Sequence, residues 1–283
     1  MTIRVAGICL ALSVAASAAS RSQMLVSTDW VAKHLKDANV VLLHVANDRT
    51  VYDAGHIPGA RFVSLPELAI TKDGIPHELP PVAELKRIFE AAGVSDRSRV
   101  IVYSDVSVLP ATRAYFTLDY LGHGDRAALL DGGLGKWRSE GRELSKDVPS
   151  AAAGRFTPHP KPELVVQMEA VRKMAGQKSE ILLDARAPEI YSGEKGAHIP
   201  GALNLYWMET QTSHDDQALK PEADLRKLYE AAGITPDHPV VTYCNSGMQA
   251  SQSYFTLKYL GYDVRMYDGS MSEWKAKGAP VEK

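Results

Sequence analysis

The chain carries two cysteines, Cys9 and Cys244, and the second stands where a nucleophile could work. Val240-Val241-Thr242-Tyr243 is a continuous, β-branched apolar run of the kind that forms a buried parallel strand. Cys244-Asn245-Ser246-Gly247-Met248-Gln249 follows at once, and Ala250, Tyr254 and Leu257 then mark one face of a helix. The thiol therefore opens a short loop between the end of a strand and the start of a helix. In open α/β sheets, ligands bind beyond the carboxyl ends of the strands. Such a loop can turn its N–H groups inward around a sulfur, with Gly247 permitting the turn, and the helix dipole is expected to favour thiolate over thiol. A free cysteine can also be a small packing residue. Position and loop chemistry favour the nucleophile.

The elements that must position this loop occur twice. Ala54-Gly55-His56-Ile57-Pro58-Gly59-Ala60 returns as Gly196-Ala197-His198-Ile199-Pro200-Gly201-Ala202. Glu90-Ala91-Ala92-Gly93 returns as Glu230-Ala231-Ala232-Gly233, and Tyr115-Phe116-Thr117-Leu118 as Tyr254-Phe255-Thr256-Leu257. Asp131-Gly132 with Trp137 matches Asp268-Gly269 with Trp274. Four blocks in one order, offset by about half the chain, mean a duplicated unit and exclude a short-period solenoid. In each copy, strand-like runs (Val40 to Val45, Val100 to Tyr103, Ile181 to Leu183, Val240 to Tyr243) alternate with amphipathic stretches. Val82 to Ala92 and Ala223 to Ala232 have helical spacing and end at Gly93 and Gly233, placed as C-caps. The expected class is α/β: two tandem domains, each an open, mostly parallel sheet flanked by helices.

The N-terminus has a different character. Arg4, the apolar stretch Val5 to Val14 and the small residues Ala16-Ser17-Ala18 form the pattern of a secretory signal peptide, too short to span a bilayer. Cys9 lies inside its apolar stretch and would leave with it, so the exported protein, periplasmic or secreted, would keep Cys244 as its single thiol. An internal disulfide would then be impossible, and a thiol kept in an oxidising compartment is suspect as a working one. The sequence divides into a leader over 1–19, a first domain over 24–142, an Ala-, Pro- and Ser-rich linker over 143–162 and a cysteine-bearing domain over 163–283. Net charge is −2 with both signs mixed throughout, which offers no basic stripe to nucleic acid and no basic patch to a membrane; no insertion is expected once the leader is removed.

Cysteine phosphatases also set a cysteine before a cradle loop, but they need an arginine six residues on, where this chain has Ala250. In the duplicated His-Ile-Pro-Gly-Ala blocks and the six-residue cysteine loop, the chain instead resembles the two-domain rhodaneses, thiosulfate or 3-mercaptopyruvate sulfurtransferases, from Leu25-Val26-Ser27 with Trp30 to Trp274. That resemblance implies a double displacement. Cys244 takes a sulfane sulfur from a small donor, becomes a persulfide, and hands the outer sulfur to cyanide or a thiol, with no metal and no organic cofactor. It also implies a first domain without the cysteine, and Ser104-Asp105 occupies the equivalent turn after Tyr103. The loop residues Asn245, Ser246, Gly247, Met248 and Gln249 would bind the donor. Asp184-Ala185-Arg186 matches an Asp-x-Arg that the family keeps beside its active loop; the first copy has His44-Val45-Ala46. Arg186 is then a donor ligand and Asp184 its support, or the pair orients the loop. His56 and His198 lie in turns and are expected to serve structurally; mercaptopyruvate enzymes pair a first-domain histidine with a loop serine, which would make His56 the partner of Ser246. Trp137 and Trp274 occur in both copies and are expected in the cores.

Donor choice is where the chain departs from the family. Thiosulfate enzymes usually follow the cysteine with Arg and Lys, and mercaptopyruvate enzymes with Gly-Ser-Gly-Val-Thr; Asn-Ser-Gly-Met-Gln is neither. A second family arginine, four residues past Arg186, is Ile190 here. Losing a charged contact in a desolvated site costs a few kcal/mol, so weak donor binding is expected. Thiosulfate leads, 3-mercaptopyruvate is the alternative donor, and a non-catalytic persulfide carrier or binding module is the reading from another class.

Overall fold

The computed structural model describes residues 23–150, 152–177, 179–194, 196–213 and 216–283; the leader expected over 1–19 lies outside them. The first half runs β1 (Leu25–Val26), α1 (Thr28–His34), β2 (Val40–Ala46), α2 (Thr50–Ala54), β3 (Arg61–Ser64), α3 (Leu65–Leu68), β4 (Ile70–Lys72), β5 (Ile75–Glu78), α4 (Val82–Ala91), β6 (Arg99–Tyr103), α5 (Leu109–Tyr120), β7 (Ala127–Leu130) and α6 (Gly133–Ser139). The second half repeats the series as α7 (Met168–Met174), β8 (Ile181–Asp184), α8 (Pro188–Tyr191), β9 (Leu203–Asn204), β10 (Gln211–Ser213), β11 (Asp216–Leu219), α9 (Glu222–Ala231), β12 (Val240–Tyr243), α10 (Met248–Leu260), β13 (Val264–Met266) and α11 (Ser270–Ala276). The four apolar runs read as strands are β2, β6, β8 and β12, and the two capped stretches are α4 and α9.

Both main sheets are parallel, in the orders β1-β7-β6-β2-β3 and β13-β12-β8-β9, while β4–β5 and β10–β11 are antiparallel hairpins. Continuous apolar strands need cover on both faces, and each sheet has it: one apolar cluster belongs to each domain alone, and a third is shared by the two. From β8 the chain crosses one way to β9, and from β12 the other way to β13. The reversal falls between β8 and β12, where Asp184 pairs with Tyr243, and a crevice at such a switch point is where α/β sheets bind ligands. Arg186 and Cys244 both emerge there.

The domains meet through α5 and α10 about a pseudo-twofold axis. Thr112 Oγ1 and Ser251 Oγ lie 3.0 Å apart, and Tyr115 meets Phe255 as Phe116 meets Tyr254, edge to face at 4.8 and 4.9 Å. Tyr254 donates its hydroxyl to the buried Asp119 at 2.7 Å. Trp137 and Trp274 are core residues, as expected, with indole N–H groups donating to the carbonyls of Glu143 and Pro280. The described part of 143–161 is held along the first domain: Ser145 exchanges two backbone bonds with His56, Gly154 donates to Glu90 O, and Phe156 is buried.

Candidate active site

Cys244 follows β12 directly and is 1% exposed. Gly247 adopts φ +80° at the entry to α10, where a Cβ would fall 2.5 Å from Asp268 Oδ1 and 3.0 Å from Arg113 Nη1, so only glycine fits. The backbone amides of Ala250, Ser246 and Gln249 face the sulfur closely enough to favour its charged form. This is the inward-turned cradle the sequence implied, and it draws in Ser246 and Gln249. Asn245 is exposed and holds the loop by its carbonyl, and Met248 is half-buried at the helix start. Electrostatics differ from the expectation of a favoured thiolate. Burial pushes the Cys244 thiol up, beyond what the three amides pull it down, and the Asp184 charge adds to the rise. The loop carries no cationic side chain to reverse that balance.

The cradle is braced from α11. Ser270 sits at φ +51°, and its Oγ accepts from Cys244 N and Gly247 N, both at 3.1 Å, while donating to Tyr267 O at 2.9 Å. Met271 N donates to Cys244 O and Ser272 N to Asn245 O, at 3.0 and 2.8 Å. These bonds fix the loop so that its other amides can face the sulfur. A left-handed non-glycine residue costs of order 1 kcal/mol or more. In the first copy the matching position is Gly133, φ +54°, which has no hydroxyl. The signal for Ser270 was present as Asp-Gly-Ser against Asp-Gly-Gly, but only the equality of the two φ values shows that a serine was kept at a glycine's position.

Asp184 and Arg186 form a buried pair: Nε donates at 2.9 and 3.1 Å to the two carboxylate oxygens and Nη2 at 2.5 Å to one of them. Nη2 also donates to Ala197 O at 2.8 Å. Nε and Nη2 are thereby committed to protein, and Nη1 has no protein acceptor among the described residues. Asp184 and Tyr243 neighbour the sulfur on adjacent strands. In the first copy His44 replaces Asp184; it is buried with no partner at either nitrogen among the described residues, and burial lowers its pKa to about 4, so it is neutral packing.

The histidine that meets Ser246 is His77, not His56. His56 stacks on Tyr52 at 3.7 Å and bonds the carbonyls of Tyr52 and Asp147, while its backbone pairs with Ser145. His198 repeats this against Tyr191 and Glu282, so both histidines secure the segment that follows their domain's last helix. His77 lies on β5, in the first-domain hairpin that reaches across to the second domain, with Nδ1 2.8 Å from Ser246 Oγ. Its backbone is left-handed, φ +63°. Burial lowers its pKa, and the nearby Arg113 charge lowers it further. Arg113, from α5, forms a buried ion pair with Asp268 and donates from Nη2 to His77 O at 2.6 Å; Leu79 N donates to Asp268 Oδ2 at 3.1 Å. His77 lies outside the repeated blocks and Arg113 just before one, and only the packing of the domains brings them to Ser246 and Asp268.

The opposite half mirrors this without the chemistry. The β10–β11 hairpin of the second domain crosses to the first, Gln217 Nε2 donates to Asp105 O at 2.5 Å, and Leu219 N donates to Asp131 Oδ1 at 3.0 Å. Gln217 stands where His77 stands, and Ser104 where Cys244 stands.

Rhodanese-like domains match residues 27–140 and 167–277. The chain is 36% identical to the sulfur carrier protein TtuD of Thermus thermophilus over 285 aligned positions, covering 92% of this chain and 97% of the relative. It is 32% identical to a putative thiosulfate sulfurtransferase of Saccharopolyspora erythraea, covering 93% and 97%. Among solved structures it superimposes on the 3-mercaptopyruvate sulfurtransferase SseA of Escherichia coli with a TM-score of 0.77 and 28% identity, over 87% of this chain and 98% of that one. With both halves matched and relatives aligned along nearly their whole length, the chain belongs to the rhodanese family, as two rhodanese-like domains in tandem.

Proposed function

We propose that this sulfurtransferase carries sulfur on Cys244, with thiosulfate as the leading donor and cyanide or a thiol as acceptor. The observation that carries the reading is a buried cysteine sulfur in a strand-to-helix loop braced by Ser270, with the amides of Ala250, Ser246 and Gln249 favouring its charged form. In the first half-reaction the Cys244 thiolate attacks the outer sulfur of thiosulfate, the S–S bond breaks, and sulfite leaves with the bonding pair. The product is a persulfide anion, whose charge fixed N–H donors stabilise as they would an oxyanion. In the second, cyanide attacks the outer sulfur, thiocyanate departs, and Cys244 returns as thiolate. Arg186 Nη1 and the loop amides are the groups available to the donor's oxygens. Weak donor binding is expected, because the loop has no cation and Ile190 supplies none. Incubating the protein with thiosulfate and then cyanide, and measuring thiocyanate, tests this; Cys244→Ser must abolish it.

A second reading, 3-mercaptopyruvate as donor, is favoured by the contact between His77 and Ser246. Breaking a C–S bond leaves a carbanion-like carbon that needs a proton, whereas sulfite leaves thiosulfate without one. Ser246 Oγ, backed by His77 Nδ1, is placed to relay that proton. The discriminating result is the ratio of the two donors' kcat/KM in His77→Gln: loss confined to mercaptopyruvate supports the second reading.

Export belongs to the same proposal. The leader pattern over 1–19 calls for a mature chain beginning near residue 20 in the periplasm or outside the cell, which N-terminal sequencing of the protein from its native cell tests.

A further inference from the structure

A half-buried arginine in the first domain has no carboxylate partner among the described residues. Arg61 opens β3 and donates from Nη1 to Ala92 O at 2.7 Å, the single protein acceptor it has among the described residues for its five N–H bonds. Burial disfavours its charge, and no carboxylate among the described residues offsets that. The duplicated unit shows what packing alone asks of this place. Arg61 pairs with Leu43 across the sheet as Leu203 pairs with Leu183, so Leu203 is its counterpart. Leu203 Cδ1 lies 3.6 Å from where a Cβ on Gly233 would be, an ordinary contact. A Cβ on Gly93 would instead fall 1.7 Å from Arg61 Nη1, so the first copy makes room for a guanidinium where a leucine serves the other.

Arg61 lines a cavity of about 230 Å³ with Tyr52, Phe62, Val63, Ile88 and Val148. Three more charged side chains share its lining. Arg49 is paired with Asp53 at 3.0 Å and lies over the Tyr52 and Phe62 rings; Arg87 is paired with Glu84 at 2.5 Å and with Glu67, also in the lining, at 3.6 Å. Those cations are answered within the protein, and Arg61 sets the unmatched charge. Val148 is 62% exposed, one of few large apolar side chains presented to solvent among the described residues.

We propose that this cavity binds a small organic anion: one carboxylate or sulfonate head, taken by the free end of the Arg61 guanidinium, on a short apolar body lying against Phe62, Val63, Ile88 and Val148. The planar fork of arginine matches a two-oxygen head. The volume is below the roughly 300–1,000 Å³ of sites for drug-sized ligands, which limits the body to about one ring. The site shares no residue with the Cys244 loop or its braces, so it stands or falls independently of the sulfur-transfer reading.

The test is methyl NMR of the intact protein titrated with benzenesulfonate, with benzoate as a second probe and sodium sulfate at matched ionic strength as control. Expected are saturable shifts of the Val63, Ile88 and Val148 methyl signals with a Kd of about 1 mM. Sulfate should leave them still. Arg61→Leu, the side chain the second copy packs at this place, should weaken binding at least tenfold with an unchanged circular dichroism spectrum; Arg61→Gln serves if that variant misfolds. Shifts that do not saturate, an equal response to sulfate, or undiminished affinity in both variants would overturn the proposal.

Discussion

Replacing Arg113 by methionine separates the contribution of the first domain from that of the cysteine loop. Arg113 is fully buried and Asp268 is 2% exposed, and the guanidinium holds both carboxylate oxygens of Asp268 and the carbonyl of His77. Methionine fills most of the volume but leaves the carboxylate with one described partner, Leu79 N. Removing one member of a buried pair costs about 3–5 kcal/mol, because the surviving charge stays desolvated. Against a typical total of about 5–15 kcal/mol, that is a large share. The double variant Arg113→Met, Asp268→Leu removes both charges and should recover much of the loss, giving a coupling of about 2–3 kcal/mol in a double-mutant cycle. Guanidinium titrations followed by tryptophan fluorescence supply the stabilities. With 3-mercaptopyruvate as donor, activity per folded molecule should still fall in kcat, since His77 loses the anchor that holds its left-handed backbone against Ser246. A loss below about 1 kcal/mol in Arg113→Met, the range of exposed pairs, would refute the reasoning.

Further consequences concern the braces and the charges around the sulfur. Ser270→Ala leaves the N–H groups of Cys244 and Gly247 buried without their acceptor, at about 1–3 kcal/mol each, and should lower kcat more than it raises KM for thiosulfate. Ser270→Gly, which fits the left-handed backbone but lacks the hydroxyl, should not rescue it. Because burial raises the Cys244 thiol, its alkylation by iodoacetamide should have a midpoint above the ordinary thiol range, and Ser246→Lys should bring the midpoint down; equal midpoints would contradict this. Glu78, half-buried near the carboxylates of Asp268 and Glu273, has its pKa raised to about 7, mainly by that burial. The folded state therefore keeps this proton to higher pH than the unfolded chain does, and stability falls as pH rises from about 4.5 through about 7. Glu78→Gln should stabilise the protein at pH 8 by roughly 1–2 kcal/mol, the shift being discounted for partial exposure, and leave it unchanged at pH 4.

The elements and their duplication could be read from the sequence because both rest on local pattern: continuous β-branched runs, helical spacing and capping glycines. The cysteine loop was legible for the same reason, since strand, loop and helix are contiguous there. Arg186 and Asp184 could be placed because they end the neighbouring strand. What could not be read was supplied across the pseudo-twofold axis. His77 and Arg113 come from the first domain and lie far in sequence from Ser246 and Asp268, and no local pattern records that a hairpin of one domain closes the other's site. His56, which the resemblance to mercaptopyruvate enzymes made the expected partner of Ser246, has its ring occupied by Tyr52 and the segment after α6. Loop amides and the helix dipole favour the thiolate, but the burial that outweighs them is set by the packed fold and leaves no local pattern in the sequence.

The most direct measurement is the intact mass of the protein after exposure to thiosulfate, followed by cyanide. If Cys244 carries the sulfur, the mass rises by one sulfur atom, peptide mapping places it on Cys244, and cyanide removes it with release of one equivalent of thiocyanate. A protein whose mass is unchanged by thiosulfate and by 3-mercaptopyruvate, or a Cys244→Ser variant that still yields thiocyanate at the wild-type rate, would contradict it.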